Sequence, residues 1–147
     1  MAYVLIGGLA GRVHGSPTIT SDTDLSYARD GENLRRLADA LVELKARLRG
    51  VDDDVSFVLD ALTLEQGQNF TFDTTAGPLD ILGLPAGTKG YADLAPNAVS
   101  VDLGEGLTVA VCSLEDLIRM KRAAGRPKDR IELEVLTAVR EETDRGV

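Results

Sequence analysis

Apolar and polar residues change their spacing several times along this chain, and each change predicts an element. Tyr3 to Ile6 is a continuous apolar run broken by Gly7-Gly8, the pattern of a short buried strand. A brief helical segment over Leu9 to His14 follows, ended by Gly15-Ser16-Pro17, and an extended stretch runs from Asp22 to Tyr27. Asp30, in the turn Arg29-Asp30-Gly31, suits a helix N-cap. From about Glu32 to Arg49, Leu34, Leu37, Leu41, Leu44 and Leu48 recur at spacings of three and four, one stripe of an amphipathic helix closed by Gly50. Val55 to Leu59 reads equally as strand or helix, and Leu62 to Gln66 suits a helical turn.

Phe70 to Asp73 and Pro78 to Leu82 read as extended segments joined through Thr74 to Gly77, with Gly83 to Gly90 as a loop. Val99 to Leu103 and Leu107 to Val111 flank Gly104-Glu105-Gly106, which predicts a hairpin with a three-residue turn. Ser113, with Asp116 three residues on, resembles a capping box opening a helix that carries Leu117, Ile118 and Met120. Gly125-Arg126-Pro127 separates it from a last helix over about Lys128 to Glu142. The order predicts an α+β fold: one domain across all 147 residues, a mixed β-sheet flanked by helices, and helices at the C-terminal end.

Composition narrows this picture. Aromatic residues are only 4% of the chain, so the core must be aliphatic. Cys112 is the sole cysteine, which rules out an intrachain disulfide and points to a cytoplasmic setting. No run approaches the roughly 20 apolar residues of a membrane span. The formal net charge of −8 argues against a non-specific grip on nucleic acid. A local basic strip runs against it: Arg119, Lys121, Arg122, Arg126, Lys128 and Arg130, whose plainest reading is a solvated helix face.

Candidate chemistry centres on Ser21-Asp22-Thr23-Asp24-Leu25. Residues two apart in a strand point the same way, so Asp22 and Asp24 would share one face. Two carboxylates that close repel unless a hard cation lies between them. Taken alone such a pair is common in surface turns. Asp80 strengthens it, because this acid stands in the apolar frame Gly77-Pro78-Leu79-Asp80-Ile81-Leu82, where a charge is expensive without a partner or a role. Upstream, a strand ending in Gly7-Gly8 lets backbone N–H groups approach a phosphate. Three acids from two extended segments suit two-metal phosphoryl transfer.

Gly7-Gly8, the Asp22–Asp24 pair and distant Asp80 resemble the pattern of the polymerase-β-type nucleotidyltransferase superfamily. More narrowly, four runs are similar to abortive-infection-type and related toxin–antitoxin nucleotidyltransferases. They are Tyr3 through Ala10, His14-Gly15, Gly77 through Leu82, and Ser113 through Lys121 continuing to Gly125-Arg126-Pro127-Lys128-Asp129. The resemblance implies a minimal nucleotidyltransferase fold and Mg²⁺-dependent transfer of a nucleoside monophosphate from an NTP. It implies that Asp22, Asp24 and Asp80 hold two Mg²⁺ ions, with Asp80 also available as base. It further implies that Gly7 and Gly8 cradle the triphosphate and that Lys121 faces it, with His14 a further nucleotide-binding candidate. In that group the acceptor is often an RNA, tRNA 3′ ends among them, which suggests the toxin of a toxin–antitoxin or phage-defence pair with a cognate antitoxin. Elsewhere the acceptor is a partner protein.

Such relatives commonly carry a helix before the first strand and an Arg before the acidic pair. Here the chain begins close to the strand, and the corresponding stretch, Ser16 to Thr20, holds Thr18. Those departures motivate the alternative of a non-catalytic module that binds NTP or a partner. Lesser candidates have plainer readings: His14 as a helix-end cap, Cys112 as a buried thiol, Lys89 as a solvated loop lysine, and Asp52-Asp53-Asp54 as a solubilising turn.

Overall fold

The structure is a computed structural model that describes residues 1–52 and 56–146. Asp53, Asp54 and Val55, which belong to the expected acidic turn and the ambiguous apolar segment, lie outside the described residues. Among the described residues one sheet holds seven strands. These are β1 (Tyr3–Ile6), β2 (Thr23–Tyr27), β3 (Arg47–Leu48), β4 (Asn69–Thr74), β5 (Gly77–Leu82), β6 (Val99–Gly104) and β7 (Leu107–Val111). Their order is β3-β4-β5-β2-β1-β7-β6. β1–β7 and β2–β5 are parallel and the other pairs antiparallel, so the expected mixed sheet is present.

The helices are α1 (Gly7–Val13), α2 (Gly31–Glu43), α3 (Ala61–Gln66), α4 (Tyr91–Leu94), α5 (Leu114–Ala124) and α6 (Pro127–Arg145), with a 3₁₀ turn over Ala95–Asn97. Two hydrophobic clusters hold them. Leu34, Leu37 and Leu41 of α2 pack with Tyr27, Phe72 and Ile81 of the sheet. Leu117 and Ile118 of α5 and Leu136 of α6 pack with Val4 and Ile6 of β1 and with Val111. Each such side chain, fully buried, contributes about 1.5–3 kcal/mol. Burial of these stripes, more than helix propensity, therefore fixes where α2, α5 and α6 sit. No helix among the described residues is long and apolar enough to cross a membrane.

The expected N-caps are present, although the Asp116 carboxylate accepts from Arg119 and Asn97 and so leaves the Ser113 capping box half formed. Asp30 accepts from the Asn33 N–H, and Ser113 accepts from the Asp116 N–H. Gly125 ends α5 in the left-handed conformation with φ +67°. α1 and α6 begin and end within three residues of the expected bounds and β2 starts at Thr23, just after Asp22, but the end of α2 differs more. The leucine stripe predicts a helix to Arg49, yet α2 stops at Glu43 and Leu48 belongs to β3. The stop is a Schellman arrangement: Ala46 N–H donates to Leu41 O, Lys45 N–H donates to Val42 O, and Lys45 takes φ +53°. Lys rather than Gly fills the left-handed position, so the usual signal is missing. Pairing of Arg47 and Leu48 with Asp73 and Phe72 then takes the chain into the sheet.

Smaller differences have local reasons. The hairpin between β6 and β7 turns on two residues, Glu105 (φ +55°) and Gly106 (φ +77°), and Gly104 remains in the sheet opposite Leu107. Two successive positive φ values match the right-handed strand twist, which makes the tighter turn the favoured one. α4 and the 3₁₀ turn have no periodic signal because each is only three or four residues long. Residues 56–59 form neither strand nor helix. Phe57 instead places its ring 6.2–6.3 Å from those of Phe70 and Phe72.

Candidate active site

β1 runs into α1 with no loop between them, and Gly7 makes that possible. It has φ +70°, and a Cβ there would lie inside the Asp24 carboxylate. A Cβ on Gly8 would stand 2.8 Å from Thr20 Cβ. The glycine pair is thus pressed against the segment that carries Asp22 and Asp24. Gly7→Ala is expected to displace the Asp24 side chain and to cost about 1–2 kcal/mol through the left-handed backbone alone. Thermal unfolding together with Mn²⁺ titration checks this; a variant with wild-type metal affinity would show that Asp24 does not need the close approach.

The acids converge through sheet register. Asp24 lies opposite Asp80 on the parallel pair β2–β5 and opposite Ile6 on β1. Cross-strand neighbours share a face, so two carboxylates stand side by side with Asp22 two residues upstream. Burial raises the Asp24 pKa to about 6, helped by the charges of Asp80 and Asp22 and by a hydrogen bond with Asp80; Lys121 opposes them. Asp22 is steadied by Thr20 Oγ1, which accepts its backbone N–H at 3.3 Å, and by a 3.2 Å hydrogen bond from Ser21 Oγ to its carboxylate.

Asp80 has a cationic neighbour that the sequence did not single out. Arg49 Nη2 stands 3.2 Å from Asp80 Oδ1. The same guanidinium donates to Phe72 O at 2.8 Å and, through Nε, to Asp73 Oδ1 at 3.2 Å. Asp80 Oδ1 is buried and accepts no well-formed hydrogen bond, so its pairing with Arg49 is Coulombic. Partial desolvation works against the Arg49 charge, but Asp73, Asp80 and Asp22 outweigh it and hold its pKa above the usual range.

Across a cleft of about 530 Å³ from the acids stand Lys121 and Arg126. Both are tied to Asp129, which is fully buried: Lys121 Nζ donates at 3.2 Å and Arg126 Nε at 2.7 Å. Burial alone would raise the Asp129 pKa, but the hydrogen bonds from Arg126 and Lys121 prevail and hold it at about 2. Glu132, also buried, accepts from Ser16 Oγ at 3.1 Å and Thr18 Oγ1 at 2.7 Å, and so pins the loop before the acidic pair onto α6. Thr18 thus anchors this loop.

The cleft takes in Gly7, Gly8, Asp22, Asp24, Asp80 and Lys121 together. His14 is not among its lining residues; its Nε2 is 2.7 Å from the carbonyl of Cys112, a tie between the end of α1 and the end of β7. Burial pushes the Cys112 thiol up to about 12, which leaves it protonated and inert. Lys89 is exposed on its loop, where its N–H donates to Asp93. The basic strip divides: Arg119 pairs with Asp93 and Asp116, while Lys121, Arg126 and Lys128 line the cleft. A separate groove of about 360 Å³, lined by Leu5, Leu25, Val101 and Val109 among others, has no carboxylate or basic side chain on its walls.

Among the described residues no three His, Cys, Asp or Glu side chains converge as a ready-made cation cage. The donors present nevertheless suit a hard divalent ion. All are carboxylate oxygens, Asp80 Oδ1 is buried without a hydrogen bond, and Asp24 carries a like-charge penalty that a cation would relieve. Asp22, Asp24 and Asp80 are the side chains that would hold it.

No family model matches this chain, and no curated protein matches it. Among solved structures it is similar to the lincosamide antibiotic adenylyltransferase LnuA, determined with lincomycin bound. The match has a TM-score of 0.57 at 14% sequence identity and covers 93% of this chain and 86% of that one. At that identity the likeness shows a nucleotidyltransferase fold.

Proposed function

We propose that this chain is a Mg²⁺-dependent nucleotidyltransferase that moves a nucleoside monophosphate from an NTP to an acceptor hydroxyl. One observation carries the reading: Asp24 lies in register beside Asp80, with Asp22 close by, and the three face Lys121 and Arg126 across one cleft. Magnesium bound by the three acids would neutralise triphosphate charge. Lys121 and Arg126 add positive charge from the opposite wall, and the backbone at Gly7 and Gly8 offers close approach to a phosphate. Asp80 takes the proton of the acceptor hydroxyl as its oxygen bonds to the α-phosphorus, and pyrophosphate departs with the electrons of the broken P–O bond.

A small hydroxylated molecule is the preferred acceptor. The similarity in fold to an enzyme bound to a drug-sized compound, over nearly the whole of both chains, supports that choice, as does the net charge of −8. RNA, with the chain as a toxin restrained by a partner antitoxin, is the second reading; the exposed Arg126 and Lys128 at the cleft favour it.

Incubation with Mg²⁺ and each α-³²P-labelled NTP, offered separately to hydroxylated small molecules, total RNA and cell protein, tests both. Label on a small molecule, lost in Asp80→Asn, is the expected result. Label on RNA moves the reading to the second acceptor, and label on protein moves it to partner modification. Mg-NTP binding with no product in any arm would overturn catalysis and leave a nucleotide-binding module.

A further inference from the structure

We infer that Arg49 is a built-in counter-ion of the acidic site: its pairing with Asp80 competes with a metal ion there and thereby sets how tightly the site takes one. The inference rests on the proposed metal role of Asp22, Asp24 and Asp80, and goes beyond it by naming the residue that competes for Asp80.

Arg49 is placed by its backbone as well as its side chain. Its N–H donates to Thr71 O at 2.9 Å, which fixes it at the sheet edge beside the end of β3. The guanidinium then bonds Phe72 O and the Asp73 carboxylate, two partners outside the acidic triad. These bonds hold Nη2 at 3.2 Å from Asp80 Oδ1 without aligning it for a hydrogen bond. The arrangement supplies charge while leaving the lone pairs of that oxygen unspent, so Asp80 is neutralised but not saturated. Arg49 remains one-third exposed, so a shift toward solvent is open to it.

On the other side of the acids, Lys121 is the compensating cation, and it has its own buried partner in Asp129. Among the described residues Arg49 has no buried anionic partner outside the site: Asp73 is 63% exposed, and Asp80 is the more enclosed of its two carboxylates. The two cations are therefore not equivalent. Lys121 has a fully buried carboxylate of its own in Asp129, whereas Arg49 leans on Asp80 itself. A divalent cation entering beside Asp80 meets a like charge held next to its ligand, and either Arg49 retreats or binding weakens.

The test is Mn²⁺ binding followed by electron paramagnetic resonance, with no nucleotide and no turnover required. Arg49→Gln is expected to tighten Mn²⁺ by about tenfold or more, the effect of removing a unit charge a few ångströms from a divalent ion. Arg49→Lys keeps the charge and is expected to stay within about threefold of wild type. In an Asp80→Asn background Arg49→Gln is expected to change Mn²⁺ affinity much less, because the shared carboxylate is gone. A merely structural Arg49 would lower stability and leave affinity unchanged in all three proteins, and that result would overturn the inference. So would weaker binding in Arg49→Gln, which would make Arg49 a residue that holds Asp80 ready for metal. If wild type binds Mn²⁺ and Asp24→Asn abolishes it, the site reading stands even where Arg49→Gln fails to tighten. No Mn²⁺ binding by wild type or Arg49→Gln would overturn both.

Discussion

Asp24→Asn is expected to abolish nucleotidyl transfer, by at least about a thousandfold, while making the metal-free protein more stable at pH 7.5. The loss follows from removing the carboxylate nearest Asp80, since an amide oxygen cannot replace an anionic ligand beside a triphosphate. The gain in stability follows from electrostatics. Asp24 ionises with difficulty in this fold, its pKa raised to about 6 by burial and by its neighbours Asp80 and Asp22. A carboxyl of ordinary pKa about 4 when unfolded holds its proton more tightly when folded here, so its ionisation opposes folding. That opposition is complete above pH 6 and absent below about pH 4.

Asn is neutral throughout and can donate to Asp80. The variant should therefore be about 1–2 kcal/mol more stable than wild type at pH 7.5, a figure reduced for solvent screening of a partly exposed group. The difference should fade as pH falls through 6 toward 4. Denaturation curves of the two proteins across that range, with metal removed, check it. Equal stabilities at pH 7.5 would mean that burial and the neighbouring acids do not together oppose ionisation of Asp24. Metal binding by wild type should likewise weaken as pH falls through about 6, because a proton and the cation compete for Asp24.

Asp129→Asn is expected to have the largest effect on stability, a loss of about 2–4 kcal/mol at pH 7. The Asp129 side chain is fully buried and is the anion that Lys121 and Arg126 share. Its removal leaves Lys121, whose side chain is only 21% exposed, without that ion pair. Arg126, at 61% exposed, turns to solvent more easily and keeps the loss below that of a wholly enclosed pair. The pH sign is opposite to that of Asp24. A carboxyl whose folded pKa is lowered to about 2 stabilises the fold above the unfolded value near 4, and that contribution is lost as pH falls through 2.

The Asp129→Asn deficit should therefore be full at pH 7 and shrink toward pH 2. Function should change too, in KM for the NTP more than in kcat, because Lys121 and Arg126 lose the anchor that aims them into the cleft. Urea denaturation at several pH values and steady-state kinetics at saturating acceptor measure both. A KM unchanged within twofold would show that the two cations need no anchor to reach a phosphate.

Much of the fold is legible from residue pattern. Leu34, Leu37 and Leu41 mark the buried face of α2, Ser113 and Gly125 mark the two ends of α5, and β1 ends where Gly7 begins. These are local signals, each carried within a few residues. The pattern misleads at Leu44 and Leu48, whose spacing continues the helical stripe although Leu48 lies in a strand. Period alone cannot see the partner strand that captures Arg47 and Leu48. Arg49 was hidden by the same misreading, since a residue placed at the end of a helix has no reason to stand beside Asp80.

The sequence alone marked out the candidate side chains: an acidic pair two residues apart, a third acid in an apolar strand, and a glycine pair closing the first strand. Backbone alternation and the cost of burying charge are enough to single those out. Tertiary structure decided what stands next to what. Parallel pairing of β2 with β5 brings Asp24 beside Asp80 across more than fifty residues of chain. Only the packing of α6 against the rest of the fold brings Glu132 to Ser16 and Thr18, and only the β3–β4 pairing brings Arg49 to Asp80. The physical reason is the same in each case. Charge interactions depend on distance in space, which local spacing along the chain does not encode.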